Sequence, residues 1–262
     1  PSGPESHLRM PLADFERVKR GSGLEWRGDG GAVAALRAVK SEAEIQKIAH
    51  ICGIAGRAFD RVHEIAGPGV PLSRVFRDFQ RLLLEEGADW VPYLAGGAGP
   101  EGYGDVISPA SDSPLAAGDV LMLDTGAVWD GYFCDYDRNF AIGHATEAQN
   151  GAHHRLIEAT AAGCSAARAG ARASDVWRAM ADIVGGGEQA GRLGHGLGMQ
   201  LTEGLSLTAG DHTVLEPGMV ITLEPGLDVA SGRIMVHEEN IVITDGAPRK
   251  LSPFAGRDLA VI

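Results

Sequence analysis

From Ser41 onward apolar residues recur at a helical interval, with Ile45, Ile48, Ala49, Cys52, Ala55, Phe59 and Val62 on one face. Ser41 and Glu44 spell S-x-x-E, a capping box in which each side chain satisfies the other's backbone amide. The predicted helix runs to about Ala66, where Gly67, Pro68 and Gly69 end it. Ser73 stands where it can cap a second helix carrying Phe76, Phe79, Leu83 and Leu84 as far as Gly87. From there to about Gly143 the pattern is that of strands and turns. The order then repeats: an alanine-rich helix from about Ala148 to Ala169, a second that Ser174 can cap with Val176, Trp177, Met180 and Ile183, then strands to the C-terminus. Two helices then strands, twice over, predict an α+β chain of two similar halves, each covering its sheet with helices. The midline between them is the natural place for a site. Residues 1–35 mix charges with Gly21, Gly23, Gly28, Gly30 and Gly31 and hold no sustained period. They read as a linker or the remnant of a preceding N-terminal domain, and residues 36–262 as the domain itself.

The segment Leu121 to Phe140 concentrates carboxylates. Asp130-Gly131 is the two-residue turn expected of a hairpin. With that turn Asp124 opposes Asp137 and Gly126 opposes Asp135, so alternation puts the three carboxylates on one face of the ribbon. Like charges so opposed are destabilising, and a hard divalent cation is the obvious compensation. Downstream, His195 lies in GHGLG, Glu224 in ITLEPG with Thr222 two residues earlier on the same face, and Glu238 in MVHEENIVIT, read as another strand. Four carboxylates, one imidazole and two divalent ions balance as −4 and +4, a neutral cluster that tolerates burial. Taken singly, each of these residues also has an ordinary structural reading.

Composition narrows the partners. The 262 residues are 44% hydrophobic, enough for one large domain or two small ones. Twenty-three basic residues against thirty-five acidic give −12, which disfavours nucleic acid and anionic membrane surfaces. No run reaches the roughly 18 apolar residues of a membrane helix, and no secretory signal opens the sequence, so a cytoplasmic location is expected. Cys52, Cys134 and Cys164 are odd in number and far apart, as reduced and mostly buried thiols are. Cys134 is expected to face away from Asp135, into the core. Gly97, Gly99 and Gly102 spell GxGxxG, but no helix pattern follows, which argues against dinucleotide binding.

The ordered set of DTG, Asp135 eleven residues on, GHGLG, TLEPG and HEEN resembles the pita-bread metallopeptidase family of aminopeptidase P, prolidase, methionine aminopeptidase and creatinase, over about Leu36 to Ile262. The resemblance implies the pita-bread fold and a dinuclear metal-dependent hydrolase that cleaves an amide C–N bond. It makes Asp124 a ligand of one metal, Asp135 and Glu238 bridges, and His195 and Glu224 ligands of the other, with Glu224 also the proton shuttle. Manganese is favoured by the oxygen-rich set, with cobalt, iron or zinc as alternatives. A homodimer and a peptide or small amide substrate are implied with it.

The chain also departs from the family. Proline- and methionine-cleaving members carry a histidine before the first metal aspartate, whereas this sequence has none between His63 and His144. A second histidine usually follows the GHG motif, where Thr202 stands here beside Glu203, and Asp137 takes a position that is commonly threonine. Asp137, Thr202, Glu203 and Thr222 are therefore the candidates for supporting the ligands or touching substrate. Three functions stay open: an Xaa-Pro aminopeptidase or dipeptidase, a creatinase-like hydrolase of a small nitrogenous metabolite, and a catalytically silent binding module. Strand alternation turns His237 away from Glu238, and His144, His153, His154 and His212 are expected at the surface.

Overall fold

The computed structural model of the chain describes residues 10–107, 110–185 and 187–262, apart from the side chains of residues 188 and 189. The first nine residues of the 1–35 segment, and residues 108 and 109 of the stretch before Asp124, lie outside it. The described remainder of 1–35 does not lack secondary structure, because it forms helix α1 (Leu12–Ser22), and α2 (Ala32–Ala38) follows. Neither helix buries a residue; Leu12 and Val18 stay exposed, and Phe15 meets Trp26 edge-on with ring centroids 5.5 Å apart. An unburied helix needs no apolar stripe, so it leaves no period to read.

Helix α3 (Glu42–Asp60) starts on the predicted capping box: the Glu44 amide donates to Ser41 Oγ at 3.4 Å and the Ser41 amide to Glu44 Oε2 at 2.7 Å. A short 3₁₀ turn, Val62–Glu64, completes the stretch toward Ala66. Helices α4 (Leu72–Glu85), α5 (Glu147–Ala166) and α6 (Ala173–Val184) occupy the other predicted places. Neither Ser73 nor Ser174 is a cap; Pro71 and Arg172 hold those positions. The reason is tertiary and the same in both halves. The amides of Ser73 and Ser174 donate to loop carbonyls, Ser111 at 2.9 Å and Asp211 at 2.8 Å, so these first-turn donors need no side-chain cap.

The first sheet is built from β1 (Trp90–Pro100), β2 (Asp119–Trp129), β3 (Tyr132–Phe133) and β4 (Tyr136–Ala141). Asp130 and Gly131 take positive φ angles of 47° and 79°, as a type I′ turn needs. The predicted register follows, with Asp124 opposite Asp137 and Val128 opposite Phe133. Gly97 and Gly99 lie in β1, so the GxGxxG pattern opens no helix there.

The second half departs from its reading. MVHEENIVIT is not one strand. It is β7 (Arg233–Val236), which pairs with β6 (Gly226–Ala230), followed by β8 (Glu239–Val242), which pairs with β5 (Val220–Leu223). His237 and Glu238 fall in the break between β7 and β8. Glu224 falls in the matching break between β5 and β6, and the His237 amide donates to the Pro225 carbonyl at 3.0 Å across the two. Both glutamates therefore sit where the chain changes sheets. Strands β9 (Arg249–Lys250) and β10 (Ala260–Val261) add to the second and first sheets.

Each half centres on a core, the first also taking in Val220 and Val242 of the second. Ile48, Ile51, Phe79, Leu82 and Leu83 pack on Leu121 and Leu123, while Val176, Trp177 and Met180 pack on Ile221, Leu223 and Ile241. A third cluster joins the halves, with Tyr103, Met122, Leu156 and Met235. Among the described residues no helix is long and apolar enough to cross a membrane.

Candidate metal centre

Asp124 is held in β2, directly opposite Asp137 in β4. Asp135 lies between β3 and β4, and its backbone is held from the other half of the molecule. The Asp135 amide donates to Asn240 Oδ1 at 3.1 Å, and Asn240 Nδ2 donates back to the Asp135 carbonyl. Asn240, fully buried in β8, thus fixes where the hairpin presents its middle carboxylate. Its reach of 105 residues leaves no local signal.

His195 is placed by glycines. Gly194 has φ +139°, and a Cβ there would overlap the Thr222 carbonyl, while one on Gly196 would overlap that of Glu203. The loop can therefore lie flat between β5 and the Glu203 backbone. Thr222 Oγ1 accepts from the His195 amide at 3.1 Å, and the Thr222 amide donates to the His195 carbonyl at 2.8 Å. The imidazole Nδ1–H donates to the Gly196 carbonyl at 3.0 Å, which leaves Nε2 to face Asp135.

Asp135, His195 and Glu238 each offer a ligand atom within 4.8 Å of the others, and all three are buried. Asp124 and Glu224 stand beside this triangle, and their charges act on it. Burial and then the neighbouring Asp135 and Asp137 charges hold Asp124 well above the usual carboxylate range. Burial and the Glu224 charge do the same to Asp135, as burial and Asp135 do to Glu238. Burial also raises Glu224, against the pull of His195 and Arg192. Asp124 Oδ1, Asp135 Oδ1, Glu238 Oε1 and both oxygens of Asp137 are buried without a hydrogen-bond donor. Acceptor-only groups left so are costly unless a cation meets them. The donor set suits a divalent ion.

The remaining candidates divide. Asp137 lies in the same cluster, with His237 Nδ1 3.5 Å from Oδ1. His237 stays out of the triangle and also meets Glu239 Oε1 with Nε2 at 3.3 Å. Although burial pulls its pKa down, the Asp137 and Glu239 carboxylates raise it. Thr222 buttresses His195. Glu203 is ion-paired with Arg37 and, at 3.3 Å, with Lys40 Nζ. Thr202 is half-buried and makes no side-chain hydrogen bond among the described residues. His153 is not at the surface: it is buried, its Nε2–H donates to the Gly256 carbonyl at 3.2 Å, and burial followed by the His237 charge lowers its pKa to about 4. The face of α5 that carries it is covered by the chain after β9, which no local pattern foretells. His144 and His212 are exposed and His154 partly so. Cys134 is fully buried and its Sγ turns to the Thr125 carbonyl at 3.8 Å, as expected. Tyr93, not singled out in the sequence, donates its hydroxyl to Asp124 Oδ2 at 3.0 Å.

A model described as metallopeptidase family M24 matches residues 46–245. The chain belongs to this family. The M24 chain is 34% identical over 226 residues to the probable dipeptidase PepE of Mycobacterium tuberculosis, covering 81% of itself but 58% of that relative. It therefore spans less than two thirds of that protein's length. With the Xaa-Pro dipeptidase of Pyrococcus horikoshii it shares 29% identity over 254 residues, 93% of this chain and 71% of the relative. The crystal structure of an X-Pro aminopeptidase from Thermotoga maritima superposes with a TM-score of 0.86 at 26% identity, covering 97% of this M24 chain and 72% of the other. The architecture is the pita-bread fold.

Proposed function

We propose that this chain is the catalytic part of a dinuclear metal-dependent hydrolase that cleaves the C–N bond of Xaa-Pro and related dipeptides. Asp124, Asp135, His195, Glu224 and Glu238 would hold the ions. The observation that carries this reading is the group of buried carboxylate oxygens without donors gathered around His195. When bound, two divalent ions supply Lewis acidity and lower the pKa of water at the site.

The chain's own residues do the rest. Thr222 and the Gly196 carbonyl fix the orientation and tautomer of His195. Tyr93 steadies Asp124, and Asn240 steadies Asp135. Glu224 is only half-buried and its pKa is raised chiefly by burial, which suits a group that takes a proton from the attacking water and passes it to the departing amine. Four carboxylates to one imidazole favour manganese. A cytoplasmic homodimer belongs to the same proposal, as does a division into a 1–35 linker and a 36–262 catalytic domain. The absent histidines, with Thr202 in place of one, keep a small nitrogenous metabolite as the second reading.

The test is a panel of Xaa-Pro dipeptides and small amides assayed on protein stripped with chelator and reloaded with manganese. Cleavage of Xaa-Pro that chelation abolishes and manganese restores is expected. Turnover indifferent to chelation, or none across the panel, overturns the proposal.

A further inference from the structure

The Gly196 carbonyl receives two donors. His195 Nδ1–H reaches it at 3.0 Å, and the Glu203 amide reaches it at 2.7 Å. The acceptor that orients the imidazole is therefore itself held by the backbone of Glu203. The Glu203 side chain is anchored in turn: Lys40 Nζ lies 3.3 Å from Oε1, and Arg37 pairs with Oε2. Lys40 is fixed as well, its Nζ donating to the Ala38 carbonyl at 3.2 Å and its amide to the Gly218 carbonyl at 3.0 Å. Gly198 packs directly on the pair, since a Cβ there would come within 2.7 Å of Glu203 Oε1 and 2.9 Å of Lys40 Cε. The Gly198 carbonyl accepts from the Phe133 amide at 2.9 Å. The loop from Gly196 to Glu203 is thus tied both to a buried ion pair and to the hairpin that presents Asp135.

The side chains of Lys40 and Glu203 are only 3% and 8% exposed. A lysine and a glutamate so buried are poor stabilisers, because taking both charges out of water costs about as much as their attraction returns. Two apolar side chains of similar volume often serve a fold as well. What the pair does supply is position. The Glu203 carboxylate is drawn to the point where it meets both cations, and its amide is held at Gly196 with it. The cations come from a distant part of the chain, Arg37 from α2 and Lys40 from the residue before the cap of α3.

We propose that Glu203 is a positioning residue for His195, acting through the Gly196 carbonyl, with Lys40 and Arg37 as the clamp that holds it. This rests on the hydrolase reading above, in which His195 holds metal. It gives Glu203 the task of supporting a ligand rather than touching substrate, and it ties the setting of the metal centre to α2.

The experiment compares the zinc-loaded chain with Glu203→Gln and with the double replacement Lys40→Met and Glu203→Leu, which removes both charges of the buried pair. Zinc affinity is read by competition with a chromophoric chelator. The ring is read by the Nδ1–H resonance of protein carrying nitrogen-labelled histidine, assigned through its loss in His195→Gln. In both variants zinc should bind about ten- to a hundredfold more weakly. The His195 ring proton should exchange with water about tenfold faster, as loss of one hydrogen bond warrants. The unfolding midpoint of the metal-free double variant should stay near that of the unaltered chain. Unchanged affinity, or an unchanged ring proton, in the folded double variant overturns the inference. A double variant that no longer folds overturns it too, since the pair would then hold the fold rather than the ring. A chain that binds zinc equally with and without the pair fails this inference alone. One that binds no zinc before any substitution fails the hydrolase reading.

Discussion

His195 Nε2 lies 3.3 Å from Asp135 Oδ2, with both side chains buried. Because Nδ1–H is spent on the Gly196 carbonyl, Nε2 is the ring atom left to face the carboxylate. A ring nitrogen and a carboxylate oxygen so placed need a proton or a cation between them. The same holds for Asp124 Oδ1, Glu238 Oε1 and both oxygens of Asp137, which are buried without donors. The centre is built for something positive.

The orientation of His195 depends on Thr222. Replacing Thr222 with Val removes the acceptor for the His195 amide at near-constant volume. Metal affinity, measured by competition with a chromophoric chelator, should fall about ten- to a hundredfold, as loss of such a supporting contact does. Unchanged affinity would show that the glycines alone position the ring.

Asn240 ties the two halves through the backbone of Asp135. Asn240→Ala leaves a buried amide and carbonyl unpaired, at a cost of about 2–4 kcal/mol. Chemical denaturation of the metal-free chain reads this directly, and a loss below about 1 kcal/mol would mean that other contacts hold the hairpin.

The acidic cluster also sets a pH dependence. Burial and mutual repulsion raise Asp124, Asp135 and Glu238 above their unfolded values. Their contribution to the metal-free fold is therefore fully present below the ordinary carboxylate range and is lost as pH rises through the folded values. Metal binding runs the other way, since it needs these groups ionised. Between about pH 5 and pH 8 the Tm gap between metal-loaded and chelated protein should widen with rising pH. A constant gap would contradict the shared titration.

Local signals in the chain proved reliable where the physics was local. Asp130-Gly131 fixed the hairpin register, and with it the facing of Asp124 and Asp137, because a type I′ turn leaves no other pairing. Ser41 and Glu44 likewise mark the start of α3. What stayed hidden depends on distant partners. Ser73 and Ser174 look like caps until loop carbonyls from residues 111 and 211 take those amides. His153 looks solvated until the segment around Gly256 covers it. The pairing of Glu203 with Arg37 and Lys40, from the start of the domain, likewise spans more than 160 residues. The break at Glu238 reads as continuous strand because hydrophobic alternation does not record a change of sheet, whereas Pro225 and Gly226 mark the strand end at Glu224.

Elemental analysis of the chain purified without chelator, beside Asp135→Ala, tests the central claim most directly. Two divalent ions per unaltered chain and none retained by the variant are expected; fewer than one ion per unaltered chain, or full occupancy surviving in Asp135→Ala, would contradict a dinuclear centre held by Asp135.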